Sequence, residues 1–489
     1  MQPLIQELRS LLGPKGWLEG DDALPYSRDW LGEYGDVPLG VARPCSTGET
    51  AAVVRACAAG KAIVVPQGGN TGLCGGSVGV AGPAVIVSLS RLNGISKVDT
   101  IGHTLEVEAG TVLQRVHEAA RQAEMMFPLR LGSEGSARIG GLIATNAGGS
   151  HALRYGPIQD LVLGLEVVLA DGSVWNGMRP IIKDNAGYQL RRLFCGSEGT
   201  LGIVTRALLR LFPAPRHSIT ALVAVPGIDA ALRFAALLRS HADEFLSGLE
   251  FFSDIGLDLA LRHIPDLDFP LETRSPCYLL VELTSSAATA PLEALWEQVL
   301  AEAMENGWIL DGAIAGSERQ RLHFWRLREE QPEGQRLEGG QIKNDVSVPV
   351  ARLDAFLREA GNVVAAILPG VRVNAFGHLG DGNVHYNLSP PERGGDFAGR
   401  DDELRLAVAR IAQNLDGSFA AEHGLGRSKV FLADCLRSRP ERMLMRAIKN
   451  AFDPAGTLNP GVLVAAASRP DNDTDRPHDP AGSVRHHGD

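Results

Sequence analysis

The chain has 489 residues, 44% of them hydrophobic and 21% charged, with a formal net charge of −11. That length supports roughly two or three domains with large cores, and the composition is that of a globular protein. The acidic balance excludes the basic footprint of a nucleic-acid binder and the basic face of a membrane-surface helix.

Residues Gln2 to Leu12 predict a short helix, and this start lacks the charged head and apolar core of a signal peptide. From about Ala51 strand and helix signals alternate. Ala62 to Pro66 reads as a short apolar strand running into PQGGNTGLCGGS. Ala84 to Leu89 and Thr104 to Ala109 read as strands, the second alternating with period two. Thr111 to Ala123 has helical spacing, with Val112, Val116 and Ala119 on one face. Leu161 to Leu169, an Asp171-Gly172 turn and Val174 predict a hairpin. Leu201 to Phe212 reads as a long apolar strand, and Pro213 and Pro215 mark a boundary.

Beyond the boundary, strands are predicted at Ser218 to Val225, Leu249 to Phe252, Cys277 to Thr284, Lys343 to Val348 and Val371 to Phe376. Helices are predicted at Asp229 to His241, Pro291 to Asn306 and Ala351 to Ile367. This interleaving predicts an antiparallel sheet with helices on one face, an α+β domain. Asp401 to Asn414 and Glu441 to Phe452 predict helices that return to the first domain. The resulting division is 1–215, 216–413, 414–464 and a tail, 465–489. The tail has no apolar pattern and is expected to be disordered, with His486 and His487 solvated.

The six cysteines are scattered and form no CxxC pair, which argues against a cysteine-held zinc or iron–sulfur cluster and fits a reducing cytoplasm. No apolar run reaches membrane-spanning length.

Two segments carry metal-binding chemistry. GHLGDGNVHYN holds His378 and His385, and AAEHGLG holds Glu422 and His423. Three ligands and a spare base suit a catalytic ion with an open position. Imidazole and carboxylate donors favour zinc, with manganese or iron tolerated. Asp381 is a further candidate ligand, better read as an Asp-Gly turn with Gly382. The plain alternative is that the histidines cap turns and that Glu422 and His423 are surface residues.

Three glycine-rich stretches stand out upstream: Pro66 to Ser77, Arg138 to Gly149 and Cys195 to Thr205. Consecutive backbone N–H groups in such turns form concave anion sites. None is GxGxxG and no GxxxxGK[ST] occurs, which disfavours a nicotinamide Rossmann site or a P-loop. Three such stretches in one domain point to one large phosphate-bearing cofactor.

The order PQGGNTG, GGLIATNAGG, LFCGSEGTLGIVT, GHLGDGNVHYN and AEHGLG resembles the FAD-linked oxidase family with the vanillyl-alcohol-oxidase type of flavin domain. Within it the chain is most similar to the D-2-hydroxyacid dehydrogenases, the D-lactate, D-2-hydroxyglutarate and glycolate group. The resemblance implies an α+β fold: a PCMH-type FAD domain of two subdomains, a ferredoxin-like antiparallel-sheet cap, and C-terminal helices. It implies that Pro66, Gly68, Gly69, Asn70, Thr71, Gly72 and Ser77 wrap the pyrophosphate. Ser133, Gly140, Gly141, Asn146 and Gly149 would line the flavin. Glu198, Gly199 and Ile203 would lie near the adenine or ribose, and Asn459 would reach the ring. The first loop has no histidine, so the FAD is expected to be non-covalent.

By the same resemblance His378, His385 and Glu422 are metal ligands and His423 is the base. Arg328 and Lys343 would hold the substrate carboxylate, and Asn387, on the strand face of His385, would donate to the substrate. One departure concerns the far end of the substrate: where hydroxyglutarate-type members are expected to place a hydroxyl residue, this chain has Pro332. D-lactate therefore stands beside D-2-hydroxyglutarate as a candidate. The implied partners are a 2-hydroxy acid and an external electron acceptor, either an electron-transfer flavoprotein, a quinone or a cytochrome, with a homodimer as the default assembly. Competing readings are a metallohydrolase using the same ligands and a catalytically silent flavin-binding subunit.

Overall fold

The computed structural model describes residues 1–79 and 82–465. The tail expected to be disordered, with His486 and His487, lies outside the described residues apart from Ala465.

The first domain is built on two four-stranded sheets. In one, Ala84–Ser88 lies between Ile63–Gln67 and Gly40–Ala42, both parallel to it. All of its residues are buried, as its sequence AVIVS allows. The helix Thr47–Ala59 starts where the Ser46 side chain accepts from the Glu49 N–H, and it packs Val53 and Val54 into the core. In the other sheet, Thr104–Glu108, Ile203–Arg210, Val162–Val168 and Val174–Asn176 are antiparallel neighbours in that order. The predicted hairpin is its Val162–Asn176 edge. One core joins both sheets and includes Leu458, whose backbone bridges Val64. The C-terminal segment is thus stitched into the first sheet.

The stretch Arg138 to Gly149 is not wholly loop. Ile139–Thr145 forms a short helix, closed by Asn146 in the left-handed region at φ 52°.

The second domain is a seven-stranded antiparallel sheet in the order Asp311–Ile314, His217–Val225, Cys277–Ser285, Leu246–Ser253, Arg372–His378, Asn383–Ser389, Asp345–Ser347. Helices cover both faces, not one. Ala221 and Val223 meet Phe234, Trp296 and Phe356 from three helices on one side. Leu222 and Ala224 meet Leu257, Phe324 and Leu327 on the other. The reason lies in the strands, which are continuously apolar and so need cover twice. The helix Asp401–Asn414 does not return to the first domain: Leu404, Val408 and Ala412 join the core of this sheet domain, inside the 216–413 unit. By contrast Arg439–Phe452 does return to the first domain, where Phe452 packs edge-on to Phe194 at 5.7 Å.

The two domains meet through buried polar contacts. Arg154 donates to the backbone O and the Oγ1 of Thr284 at 2.8 and 2.9 Å. His151 lies 3.1 Å from a Glu282 oxygen, and Glu282 also receives Trp325 Nε1 at 3.1 Å. Together these contacts fix the sheet face that looks at the glycine loops.

Candidate active site

A cleft of about 760 Å³ runs between the glycine loops and the polar face of the cap sheet. Its loop side is rich in glycine backbone. A Cβ on Gly72 would meet nothing within 4 Å, and a Cβ on Gly68 would lie 3.3 Å from the Gly141 backbone. The side chains of the first loop are turned to holding its shape. Asn70, at φ 53°, donates to the Arg28 carbonyl and accepts from Ser77 Oγ, both at 2.7 Å. Gln67 donates to the Tyr26 and Ser77 carbonyls. The loop backbone lines the cleft, and N–H groups in such glycine turns are the kind of donor set that holds a pyrophosphate.

The far wall carries the ionisable groups. His378 ends one strand, the Asp381-Gly382 turn follows with Gly382 at φ 80°, and His385 sits on the next strand. Asp381 Oδ1 accepts from the Asn383 N–H at 3.1 Å, the turn role the sequence favoured. The register pairs His378 with Asn383 and Phe376 with His385. Both imidazoles therefore stand on one face, with ring centres 5.7 Å apart. Glu422 arrives from the C-terminal loop. Its Oε2 lies 3.6 Å from His378 Nε2 and 3.8 Å from His385 Nε2. Ligands about 2.1 Å from a tetrahedral ion stand about 3.4 Å from one another, so this donor set fits a divalent cation. His423 stacks on His385 at 5.5 Å.

Two carboxylates support the wall, Glu250 lining the cleft and Asp345 buried behind it, and neither was legible in the sequence. Glu250 lies directly opposite His378 in the sheet, and Asp345 directly opposite His385. Glu250 accepts from His378 Nδ1 at 2.6 Å and pairs with Arg328 at 2.9 Å. Asp345 is fully buried and accepts the N–H groups of Glu422 and His423, each at 2.8 Å. It thereby shapes the turn that brings those neighbours to one site.

The electrostatics follow from this layout. Burial opposes a charge on His378, but Glu250 and Glu422 outweigh it and hold the imidazole well above its usual value. Burial pushes His385 down to about 3 and lowers His423 as well. Burial would raise Glu422, yet the charge on His378 brings its carboxyl down to about 2. Asp345 is held far below the carboxylate range, because His423 and Lys429 outweigh its burial. A proton on His378 between two carboxylates occupies the electrostatic role that a cation at Nε2 would take.

Residues 214–463 match the family model of FAD linked oxidases, C-terminal domain, and residues 38–177 match an FAD binding domain. The chain belongs to the FAD-linked oxidase family. It is 39% identical over 456 residues to the D-2-hydroxyglutarate dehydrogenase of Xanthomonas citri pv. viticola, covering 93% of this chain and 95% of that one. To the enzyme of that name from Stutzerimonas stutzeri it is 35% identical, over 95% and 99%. Among solved structures, p-cresol methylhydroxylase with substrate bound superposes with a TM-score of 0.77, covering 96% of this chain and 98% of that one at 17% identity. That last likeness is one of fold.

Against this family frame, nearly every residue singled out from sequence lines the one cleft. His378, His385, Glu422, His423, Arg328, Lys343 and Asn387 do, as do the glycines singled out for the cofactor, from Gly68 in the first loop to Gly199 in the third. Asn146 and Asn459 are elsewhere. Asn146 caps its helix and accepts from the Gln159 N–H, at 3.2 Å. Asn459 is 1% exposed and its amide donates to the carbonyls of Gly76 and Glu198, so it holds loops together behind the cleft wall. Glu198 lines the cleft, but its carboxylate accepts the N–H groups of Leu425 and Gly426, each at 2.9 Å.

Arg328 closes the helix Glu318–Glu329, and Pro332 sits in the first turn of the next helix, Gln331–Glu338. Proline is at home there, since that N–H has no helical partner. The departure from the expected hydroxyl is therefore free of structural penalty and falls on the cleft wall.

Proposed function

We propose that this flavoprotein is a metal-assisted dehydrogenase that oxidises a D-2-hydroxy acid, D-2-hydroxyglutarate or a close analogue, to the 2-oxo acid. One observation carries the reading: three donor side chains that could hold a cation, and a histidine whose pKa burial lowers, face the same cleft as the glycine loops of an FAD-binding fold. The relatives named D-2-hydroxyglutarate dehydrogenase support the substrate class.

Arg328 and Lys343 bind the carboxylate, Arg328 as a planar fork and Lys343 as a point charge. Burial lowers Lys343, which makes a bound anion its natural counter-charge. Asn387 donates to the substrate from beside His385. His423, neutral and with Nδ1 turned to Asp345, accepts the hydroxyl proton at Nε2. Bound FAD supplies the acceptor for the hydride that leaves C2. A divalent cation between His378, His385 and Glu422 would lower the hydroxyl's pKa, as such ions do for water. The loop and cap walls hold C2 against the flavin and keep water out.

The chain has no CxxC pair for a relay cluster. We therefore propose that electrons leave to a separate acceptor, an electron-transfer flavoprotein, a quinone or a cytochrome. A metallohydrolase would leave the glycine loops without a task. A silent flavin-binding subunit would have no use for Glu422 and His423 facing the cleft.

The test is loss of oxidised-flavin absorbance in FAD-loaded protein when D-2-hydroxyglutarate or D-lactate is added without oxygen. His423→Asn should keep the flavin band yet lose the bleaching. Bleaching at the wild-type rate would remove His423 from the mechanism.

A further inference from the structure

Glu250 is 1% exposed on a central strand, far in sequence from every motif of the site. Its two oxygens are divided between two tasks. Oε1 accepts from His378 Nδ1 at 2.6 Å and Oε2 takes Arg328 Nη2 at 2.9 Å. The first is a short charge-assisted hydrogen bond and the second a buried ion pair. The Arg328 guanidinium is held from a second side by the ring of Phe376, 4.6 Å away, and Phe376 shares a strand with His378. The anchor for the substrate carboxylate and one ligand of the cation site thus hang on a single buried carboxylate.

We propose that Glu250 is a positioning residue that locks Arg328 and His378 into one unit, fixing the distance between the grip on the carboxylate and the grip on the C2 oxygen. The inference rests on the function proposed above. The bond to Nδ1 selects the tautomer and the ring angle, leaving Nε2 for the cation. The ion pair with Glu250 and the Phe376 ring together hold the guanidinium in place. Glutamine has the same shape but offers one acceptor oxygen and an NH₂ group. It must therefore present a donor to one of the two partners, and the unit comes apart. The neighbouring buried carboxylate Glu282 is an internal control. It holds His151, Arg321 and Trp325 but no candidate metal ligand.

The experiment uses full-length, FAD-loaded protein stripped of metal by a chelator. It measures affinity for zinc alone by calorimetry, flavin content by absorbance, and KM and kcat with D-2-hydroxyglutarate. E250Q is expected to keep its flavin, to lose zinc affinity by roughly ten- to a hundredfold, and to raise KM by tenfold or more. E282Q is expected to hold zinc within about threefold of wild type, whatever its stability, because it touches no ligand. If E250Q does not fold, E250D keeps the charge but is too short to reach both partners, so it should still lower zinc affinity and raise KM together. Wild-type zinc affinity and KM in the folded Glu250 variants would overturn the inference. So would equal losses of zinc affinity in E250Q and E282Q. A wild-type protein that takes up no zinc contradicts the proposed function itself, and the coupling falls with it.

Discussion

Gly148 has no side chain for a reason that can be measured. A Cβ there would lie 2.6 Å from Glu422 Oε1, the oxygen that accepts the Gly149 N–H at 2.5 Å. A loop of the FAD-binding domain and the carboxylate proposed as a metal ligand are in direct contact. Gly148→Ala should push Glu422 off its proposed ligand position and weaken zinc binding by about tenfold, roughly 1.4 kcal/mol, with flavin retained. Calorimetry with zinc reads the effect, and unchanged affinity would show that Glu422 is free to give way. Arg328→Lys keeps the charge but not the fork, so KM should rise with little change in flavin content. At this scale the sequence was legible where chemistry is clustered: His378 with His385, and Glu422 with His423. Glu250 and Asp345 were not legible. They stand 128 and 77 residues from the groups they hold, and only the sheet register brings them together.

Elements were legible where periodicity is long. Strands such as Cys277–Ser285 and helices such as Leu292–Glu305 lie within a residue or so of their predicted bounds. The short helix Ile139–Thr145 escaped because its two glycines disfavour helix locally and packing overrides them. The second layer of cap helices escaped because Glu318–Glu329 is rich in charge, several of its arginines being spent on buried or nearby carboxylates rather than on solvent. Capping gives an independent check on the C-terminal element. Ser438 and Glu441 form a reciprocal capping box at the start of Arg439–Phe452. Ser438→Ala should cost about 1 kcal/mol and lower the Tm by a few degrees. A Tm equal to wild type would mean that this helix is held by its packing alone.

Across the whole molecule, the flavin domain, the cap and the C-terminal loop converge on one cleft, and Glu198 sits at the join. Burial pushes its carboxyl from 4.5 up to about 7, despite two backbone N–H bonds that favour the anion. A raised folded pKa means that the contribution to stability is full below the unfolded value and is lost as pH rises through the folded one. Stability should therefore fall between about pH 4.5 and pH 7, by at most about 1.4 kcal/mol per unit from this group. Glu198→Gln should flatten that window in denaturant titrations, and an unchanged slope would assign the pH dependence elsewhere. The family fold was legible from the order of five glycine-rich motifs, because each is a local backbone requirement. The substrate's far end was not, because Pro332 marks only what is missing there.

If one cleft joins a cation to a flavin for oxidation of a D-2-hydroxy acid, reduction of the flavin must depend on the ion. The most direct measurement is an anaerobic titration of FAD-loaded, metal-stripped protein with D-2-hydroxyglutarate, followed by addition of zinc or manganese. Slow loss of the oxidised-flavin band is expected before the ion, and rapid, complete loss after it. Bleaching at the same rate with and without the ion, in protein shown to be metal-free, would contradict it.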